Sequence, residues 1–393
     1  MNYSNFFDQK IDRHHTNSVK WDSSEASKKP IDAYPLWVAD MDFKVMPEIV
    51  EALQKEVSNA LYGYTFESEE YYQSIISWLE RRHNFHIKKE WITSTPGVVS
   101  GINALILALT KENDGILIQE PVYYPFKRSI LTNKRKAIIN ELIHEKCEYT
   151  VDFVDFEKQI KENDVKLFIL CSPHNPVGKV FTKDELNQMV DICKKYNVVI
   201  VSDEIHMDFV YKPNKHSVTA ELRKDYADHI ITLYAASKTF NLAGMKVSQL
   251  ITSNLEILQK VKDVYMTLGL HGVNTLGLIA STAAYTFGDD YVDSLVDYLD
   301  KSIHWLQTFL ETELPQVKLV NPQGTYILWL DFTALNMSQD DLDHFCLNEA
   351  KMWLNNGTLF GRSGEGFMRI NLALPLSELK AVMGQLKKAI INK

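Results

Sequence analysis

The stretch LFILCSPHNPVGKVFTKDELNQMVDICKKYNVVIVSDE (167–204) decides the fold prediction. It begins and ends with short apolar runs, LFIL and VVIVS, and Lys183–Tyr196 between them has the apolar spacing of a helix. Thr182 and Glu185 at the start of that helix have the spacing of a capping box. Apolar strands joined through a helix predict parallel pairing in a sheet that is covered on both faces.

The same alternation extends to both sides of this unit. Helical spacing recurs at Val98–Leu109 and Phe153–Glu162, again between apolar, β-rich runs. The pattern therefore predicts an α/β domain with a mostly parallel sheet covered by helices. The predicted strands are GILIQ (115–119), KAIIN (136–140), LFIL (167–170), VVIVS (198–202), IITLY (230–234) and SQLIT (248–252).

The pattern changes at Asp289 to that of an α+β domain. A long amphipathic helix comes first, and short strands then alternate with helices. We predict an N-terminal arm (1–45) that packs on a small C-terminal domain (289–393), with a large domain (46–288) between them in sequence. The elements predicted in the small domain are helices at 289–312, near 338–351 and at 376–391, and strands at 326–330 and 368–371.

Composition excludes several classes of protein. The 393 residues include 42 Lys+Arg and 51 Asp+Glu, which gives a net charge of −9 and argues against nucleic-acid binding. The uncharged stretch Val264–Gly288 is interrupted by Gly269, Gly272 and Gly277, so we expect buried helices there and no membrane span. Four cysteines form no disulfide framework, and the first residues are polar, so we expect a cytoplasmic protein.

Motifs of other α/β enzymes are absent from the sequence. There is no G-x-x-x-x-G-K-[ST] phosphate loop, no G-x-G-x-x-G dinucleotide fingerprint and no G-x-S-x-G nucleophile elbow. No C-x-x-C pair suggests a metal site, and we predict none. P-loop NTPases, Rossmann dehydrogenases and elbow-type hydrolases are therefore excluded.

Ligands of open α/β sheets bind at the carboxyl ends of the strands, so the loops there are the expected site of chemistry. Lys238 lies just after IITLY, where a deprotonated amine could form a Schiff base with a carbonyl cofactor. A solvated surface lysine is the alternative. Asp203 ends VVIVS, and its carboxylate could pair with a protonated pyridine nitrogen or simply cap the next loop.

Two further loops carry candidate cofactor contacts. Two X-Pro bonds frame Asn175 in SPHNPVG (172–178), and its amide could donate to a phenolic oxygen; a plain Pro-Gly turn is the alternative. Tyr123 in PVYY could stack on an aromatic ring, although the chain has 18 tyrosines.

Two features could bind anions. Gly97 precedes an apolar helix, so the backbone N–H groups near Val98 and Val99 would suit a phosphate, unless this is an ordinary capped core helix. Arg369 lies in the apolar run FMRINLALP, where a guanidinium needs an anionic partner. That partner is either a structural carboxylate or a substrate carboxylate, which Arg binds bidentately.

In order and chemistry, these features resemble pyridoxal 5′-phosphate enzymes of fold type I, the aspartate aminotransferase superfamily, over nearly the whole chain. The sequence is most similar to the MalY/PatB-type cystathionine β-lyase (C–S lyase) group. SDEIHMD and WVADMDF together distinguish that group from ordinary aminotransferases. The motifs that carry the resemblance are LWVADMDF (36–43), LYGYT (61–65), SDEIHMDFV (202–210), SKTFNLAG (237–244) and FGRSGEGFMRIN (360–371).

The resemblance implies a seven-stranded-type sheet, a pyridoxal 5′-phosphate cofactor and a homodimer with a shared active site. Lys238 is then the catalytic residue that bonds the cofactor, and Arg369, with Ala39 near it, takes the substrate carboxylate. Tyr64 would reach the phosphate from a second subunit. The implied cofactor-binding residues are Gly97, Val98, Val99, Tyr123, Asn175, Asp203, His206, Ser237, Lys238, Lys246 and Tyr64.

Three positions depart from the general aminotransferase pattern. His206 replaces the usual Tyr, which fits the lyase group, and Lys246 replaces a phosphate-binding Arg, so the charge is kept but the planar fork is lost. Ala235 stands where many relatives have Ser, which removes one phosphate hydrogen bond.

The resemblance therefore predicts α,β-elimination from S-substituted L-cysteines, a class of small amino-acid substrates, to a thiol, pyruvate and ammonia. The alternative with the same fold and lysine is an aminotransferase, which needs a keto-acid acceptor. An alternative of another class is a cofactor-binding regulator that contacts a partner protein.

Overall fold

A computed structural model of the chain describes residue 3 and residues 5–24, 26–270 and 272–392. Its centre is an eight-stranded sheet whose five middle strands run parallel to one another. Ser248–Ile251 runs antiparallel to both of its neighbours, and Glu148–Val151 folds back on the opposite edge. The spatial order is Ile92–Thr95, Ser248–Ile251, Ile230–Tyr234, Val199–Asp203, Val165–Cys171, Gly115–Glu120, Lys136–Glu145 and Glu148–Val151.

The prediction of a mostly parallel α/β sheet is confirmed, and every predicted strand is present. The strand predicted at 136–140 is longer, because Lys136–Glu145 continues into a hairpin with Glu148–Val151. That hairpin strand is the eighth, beyond the expected seven. It and Ile92–Thr95 were missed because EYTV and ITST are short and contain no apolar run.

Helices lie on both faces of the sheet, and side chains of one strand alternate between two cores. Ile116 and Ile118 pack in one apolar cluster, whereas Leu117 between them packs in the other. The capping box is confirmed, since Thr182 accepts from the Glu185 N–H and Glu185 accepts from the Thr182 N–H. The helices up to residue 287 are Val19–Asp22, Pro47–Ser58, Glu69–His83, Val98–Leu109, Pro125–Thr132, Phe153–Glu162, Lys183–Lys195, Thr219–Leu222, Ala236–Thr239, Leu255–Thr267 and Thr275–Phe287.

The C-terminal part contains a four-stranded antiparallel sheet. Its order is Lys318–Leu319, Ile327–Asp331, Phe367–Asn371 and Asn355–Asn356. The helix predicted near 338–351 is shorter, because Gln339–His344 passes into a π-helical turn at Phe345–Glu349. The long helices here are Asp289–Glu313 and Leu376–Ile391.

The N-terminal residues contact this C-terminal part. Tyr34–Pro35 pairs in parallel with Met352–Trp353. Residues 1, 2, 4 and 25 of the predicted arm lie outside the described residues, as does residue 393. The division into an arm, a large domain and a small domain stays a prediction.

The uncharged stretch 264–288 belongs mainly to two helices, Leu255–Thr267 and Thr275–Phe287, and residue 271 lies outside the description. Among the described helices, none has the length and apolar character needed to cross a lipid bilayer.

Candidate active site

A cavity of about 340 Å³ opens at the carboxyl ends of the parallel strands. Loops that follow four strands converge on it, as the topology requires. The cavity brings together most of the residues predicted as a site. Those that line it are Ala39, Gly97, Val98, Val99, Tyr123, Asn175, Asp203, His206, Ser237, Lys238 and Lys246.

Lys238 lies in the one-turn helix Ala236–Thr239, and its amine opens onto the cavity. The amine donates a hydrogen bond of 2.7 Å to the carbonyl oxygen of Ala39. Burial, together with the charge of Arg369, lowers the pKa of Lys238 to about 8, against the opposing effect of Asp40 and Asp203. About a tenth of such amines are neutral at pH 7, which suits a nucleophile or a base.

Asp203 ends strand Val199–Asp203 and is buried at the floor of the cavity. One carboxylate oxygen accepts from the Ile205 N–H at 3.2 Å. Burial raises the pKa of Asp203 to about 7, against that hydrogen bond and the charge of Lys238. A cationic group in the cavity would stabilise the carboxylate and reverse this shift.

His206 lies on the same loop and is neutral. Burial lowers the pKa of His206 to about 3, and the charges of Lys238 and Arg369 act in the same direction. Its Nδ1 has no hydrogen-bond partner among the described residues. The ring therefore has a nitrogen to offer a ligand or an ordered water.

Asn175 lines the cavity and contacts Arg369, which is not itself among the residues that line it. Both X-Pro bonds of the Asn175 loop are cis. The Asn175 Oδ1 accepts from Arg369 Nη1 at 3.1 Å, and Asn355 Oδ1 and the Trp37 carbonyl accept from Nη2 at 2.6 and 2.8 Å. The guanidinium also lies over the ring of Phe360, with its carbon 4.8 Å from the ring centre.

The acceptors around Arg369 are all neutral. Within the described residues it forms no ion pair with a carboxylate, although it is buried in strand Phe367–Asn371. Burial lowers the pKa of Arg369 to about 10, so the group stays cationic near neutral pH. Of the two readings of this arginine, a structural salt bridge is not present there, and the positive charge is free to bind an anionic ligand.

Gly97 begins the helix Val98–Leu109 with φ of +123°, a conformation that side chains other than glycine rarely adopt. The space above its Cα is open, since a Cβ there would meet nothing within 4 Å. The first N–H groups of a helix have no intrahelical partner. Those of Val98 and Val99 therefore offer an anion-binding turn at the edge of the cavity.

Lys246 and Tyr123 occupy the remaining walls. Lys246 has a left-handed backbone with φ of +53° and is exposed at the rim, so its cation is accessible. Burial raises the pKa of Tyr123 to about 12, which keeps its ring neutral and suited to stacking. Tyr64 is different: it is fully exposed on the loop before helix Glu69–His83 and does not line this cavity.

Sequence reasoning missed the contacts of residues 37–43, here called the linking segment. Its carbonyls accept hydrogen bonds from side chains distant in sequence. Asn371 Nδ2 donates to the carbonyls of Val38 and Asp40, and Asn241 Nδ2 donates to those of Met41 and Phe43. Asn241 and Asn371 lie in the motifs SKTFNLAG and FGRSGEGFMRIN that were quoted above, but nothing in those motifs gave these roles.

A second missed group is a buried network behind the turn that carries Lys238. Asp208 accepts from Tyr234 and Thr239 hydroxyls at 2.5 and 2.6 Å and lies 2.7 Å from His83 Nε2. Thr239 directly follows Lys238, so the network fixes that turn from beneath. The signal was the third acidic residue of SDEIHMD, Asp208, to which the sequence analysis assigned no role.

Comparison with known proteins gives a consistent family. The model of aminotransferase class I and II matches residues 33–386. Cystathionine beta-lyase PatB of Bacillus subtilis is 37% identical over 384 residues, which are 98% of this chain and 99% of that protein.

Solved structures agree with the sequence comparison. Cystalysin from Treponema denticola, whose crystal structure contains pyridoxal 5′-phosphate, is 37% identical with a TM-score of 0.95 and 98% of both chains covered. A PLP-bound protein of Clostridium difficile 630, described provisionally as an aminotransferase, is 42% identical with a TM-score of 0.95, covering 98% of this chain and 99% of that one.

Proposed function

The chain belongs to the aminotransferase class I and II family, and on that premise we propose that it is a pyridoxal-phosphate-dependent carbon–sulfur β-lyase. The observation that carries the proposal is one cavity lined by Lys238 and Asp203, with the Arg369 guanidinium hydrogen-bonded to Asn175 of the cavity wall. The substrates we propose are S-substituted L-cysteines, cystathionine among them, because the relative PatB is named a cystathionine beta-lyase.

The residues fit the cofactor in charge and shape. The buried Asp203 carboxylate, with its raised pKa of about 7, suits a protonated ring nitrogen. The open space at Gly97 and the helix turn after it suit the phosphate, and Tyr123 forms a wall for the ring. Ala235 brings no hydroxyl, so Ser237, Lys246 and the helix turn are the phosphate donors that this cavity offers.

When bound, pyridoxal phosphate supplies an electron sink that makes loss of the Cα proton feasible. Arg369 binds the substrate carboxylate through its fork and so fixes the direction of the Cα–H bond. The Lys238 amine would take the Cα proton as general base. Overall, one water is consumed, the Cβ–S bond breaks, and the products are a thiol, pyruvate and ammonia.

We also propose that the active site is completed in a homodimer. Residues 60–66, here called the exposed loop, place Leu61, Tyr64 and Phe66 in solvent, with more than four-fifths of each side chain accessible. Exposed apolar groups of this size are typical of interfaces. A second copy would bury them, and its Tyr64 is then the proposed donor to the phosphate.

The test is a lyase assay on purified protein with pyridoxal phosphate and several S-substituted cysteines, without any keto acid. We expect sustained release of thiol with an equal amount of pyruvate, and the rates will rank the leaving groups. Turnover only after a keto acid is added would favour the aminotransferase alternative, which the description of the Clostridium difficile relative supports. His206 would then be a poor marker of lyase activity.

A further inference from the structure

The linking segment connects the two groups that the proposed reaction uses. Its Ala39 carbonyl accepts from the Lys238 amine at 2.7 Å, and its Trp37 carbonyl accepts from Arg369 at 2.8 Å. The two carbonyls are two residues apart on one piece of backbone. A shift of this backbone therefore moves the acceptors of the amine and of the guanidinium together.

The linking segment forms no helix or strand, so side chains from elsewhere must hold it in place. Arg13 makes the most contacts with it. Its Nη1 and Nη2 donate to the two carboxylate oxygens of Asp40, each at 3.1 Å, and Nη1 also donates to Asp42 Oδ1 at 2.7 Å and the Met41 carbonyl at 3.1 Å. This is the bidentate geometry that only a guanidinium provides.

Lys20 completes the charge balance from the other side. Its side chain is fully buried, and Nζ lies 2.7 Å from Asp42 Oδ2. The Trp21 indole N–H donates to the other oxygen of Asp42 at 2.9 Å. Two cations thus offset two carboxylates next to the cavity, and a partly buried network of this kind fixes geometry strongly.

The network also acts on the cavity through charge. The groups that face the Lys238 amine are Asp40 and Asp203, which favour its protonated form, Arg369, which opposes it, and the neutral His206. Arg13 offsets the negative charge of Asp40. Without Arg13, the field of Asp40 at the amine would be larger.

We propose that Arg13 is a positioning residue for the lyase reaction, which holds the linking segment and neutralises Asp40 so that Lys238 and Arg369 keep their relative placement. The inference rests on the proposed function for its kinetic part only. Its electrostatic part concerns the Lys238 amine itself and can be measured whether or not the protein is a lyase.

The test compares Arg13→Met with Asp40→Asn, which change the same contact but leave opposite charges uncompensated. Arg13→Met should raise the apparent pKa of Lys238 by about half a pH unit, and Asp40→Asn should lower it by a similar amount. The full-length protein is acetylated at a series of pH values without added cofactor, and modification of Lys238 is measured by mass spectrometry. A purely structural defect would not give shifts of opposite sign.

Kinetics give the second readout. Arg13→Met should raise the KM for an S-substituted cysteine and lower kcat/KM about tenfold, because the acceptor of Arg369 loses its support. Arg13→Lys should restore the pKa of Lys238 through its charge, but not the KM, since it lacks the fork.

Lys10→Met is the matched control, because it removes a cation of the same arm that pairs with Glu378 away from the linking segment. It should change neither readout. If Arg13→Met does not fold, Asp40→Asn, which keeps the side-chain shape, carries the electrostatic test alone. Shifts of the same sign in both variants, or a change under about 0.1 unit in Asp40→Asn, would overturn the proposal. A wild type without lyase activity would overturn the proposed function but leave the pKa test intact.

Discussion

The linking segment and the exposed loop are both irregular, but they differ in how far their polar groups are hydrogen-bonded and their apolar side chains are covered. The linking segment has five consecutive carbonyls, Trp37 to Met41, that accept hydrogen bonds from side chains. The exposed loop has few contacts of this kind: the Tyr62 hydroxyl donates to the Val57 carbonyl, and the Thr65 hydroxyl meets that of Thr275.

The difference shows which of the two segments finds its hydrogen-bond partners and its apolar cover within a single chain. An irregular backbone is stable in a fold only when its polar groups are satisfied and its apolar groups are covered. The linking segment meets both conditions within the described chain. The exposed loop, with Leu61 and Phe66 each about 81–82% accessible, does not meet the second. Its covering surface is the second copy that we propose.

Lys238 is the group whose loss should have the largest effect. Lys238→Ala removes the amine that the linking segment holds, and we expect turnover to fall by about 10³-fold or more, because no other amine of the described residues donates to the Ala39 carbonyl. Pyruvate release measures the loss. Circular dichroism and oligomeric state should remain those of the wild type. Residual activity above about one tenth would contradict the role of Lys238.

Substitutions in the exposed loop should reduce activity by another route, through loss of the proposed dimer. Leu61→Asp together with Phe66→Asp should separate the proposed dimer and reduce activity about 100-fold at low protein concentration, with the monomer still folded. Sedimentation and activity across a dilution series measure both. Ile31→Asp with Val154→Asp, which alters two equally exposed apolar groups elsewhere, is the control. A variant that stays dimeric and fully active would disprove the loop's role.

Removal of a side chain that holds the linking segment should affect mainly the free energy of unfolding. Asn371→Ala leaves the Val38 and Asp40 carbonyls without that donor, and we expect the free energy of unfolding to fall by about 2 kcal/mol. Denaturant unfolding measures it. Asn163→Ala, at an exposed helix end, should cost under about 0.5 kcal/mol. Equal losses in both variants would show that the linking segment is not specially held.

Tyr64 should give the smallest effect. Tyr64→Phe removes one hydroxyl that we place at the phosphate of the partner's site, so the Kd for pyridoxal phosphate should rise about tenfold. Fluorescence titration measures the affinity, and the unfolding free energy should not change, because the side chain is exposed in one chain. Unchanged affinity in a dimeric protein would place Tyr64 outside the site.

The fold and the cavity wall were largely predictable, for a local reason. Strands such as Val199–Asp203 have their own apolar signature, and Asp203 follows from the rule that ligands bind at strand ends. The roles of Asn241 and Asn371 were not predictable, because each contacts backbone about 200 or 330 residues away. Arg13 gave no signal either, since a single arginine in a polar arm is indistinguishable from a solvated one.

These separations also set an order of assembly during synthesis. Arg13 and Lys20 precede the linking segment, but the donors to its Ala39 and Trp37 carbonyls emerge 199 and 332 residues after them, so an early stretch of the nascent chain can hold only part of this segment. Contacts between such distant residues form late, after the parallel strands between them have paired. We therefore expect the Lys238 amine to acquire its full set of neighbours only near the end of translation, once Arg369 has been made. Until then the chain would hold no working centre, and reactive aldehydes in the cell would meet a lysine without that environment.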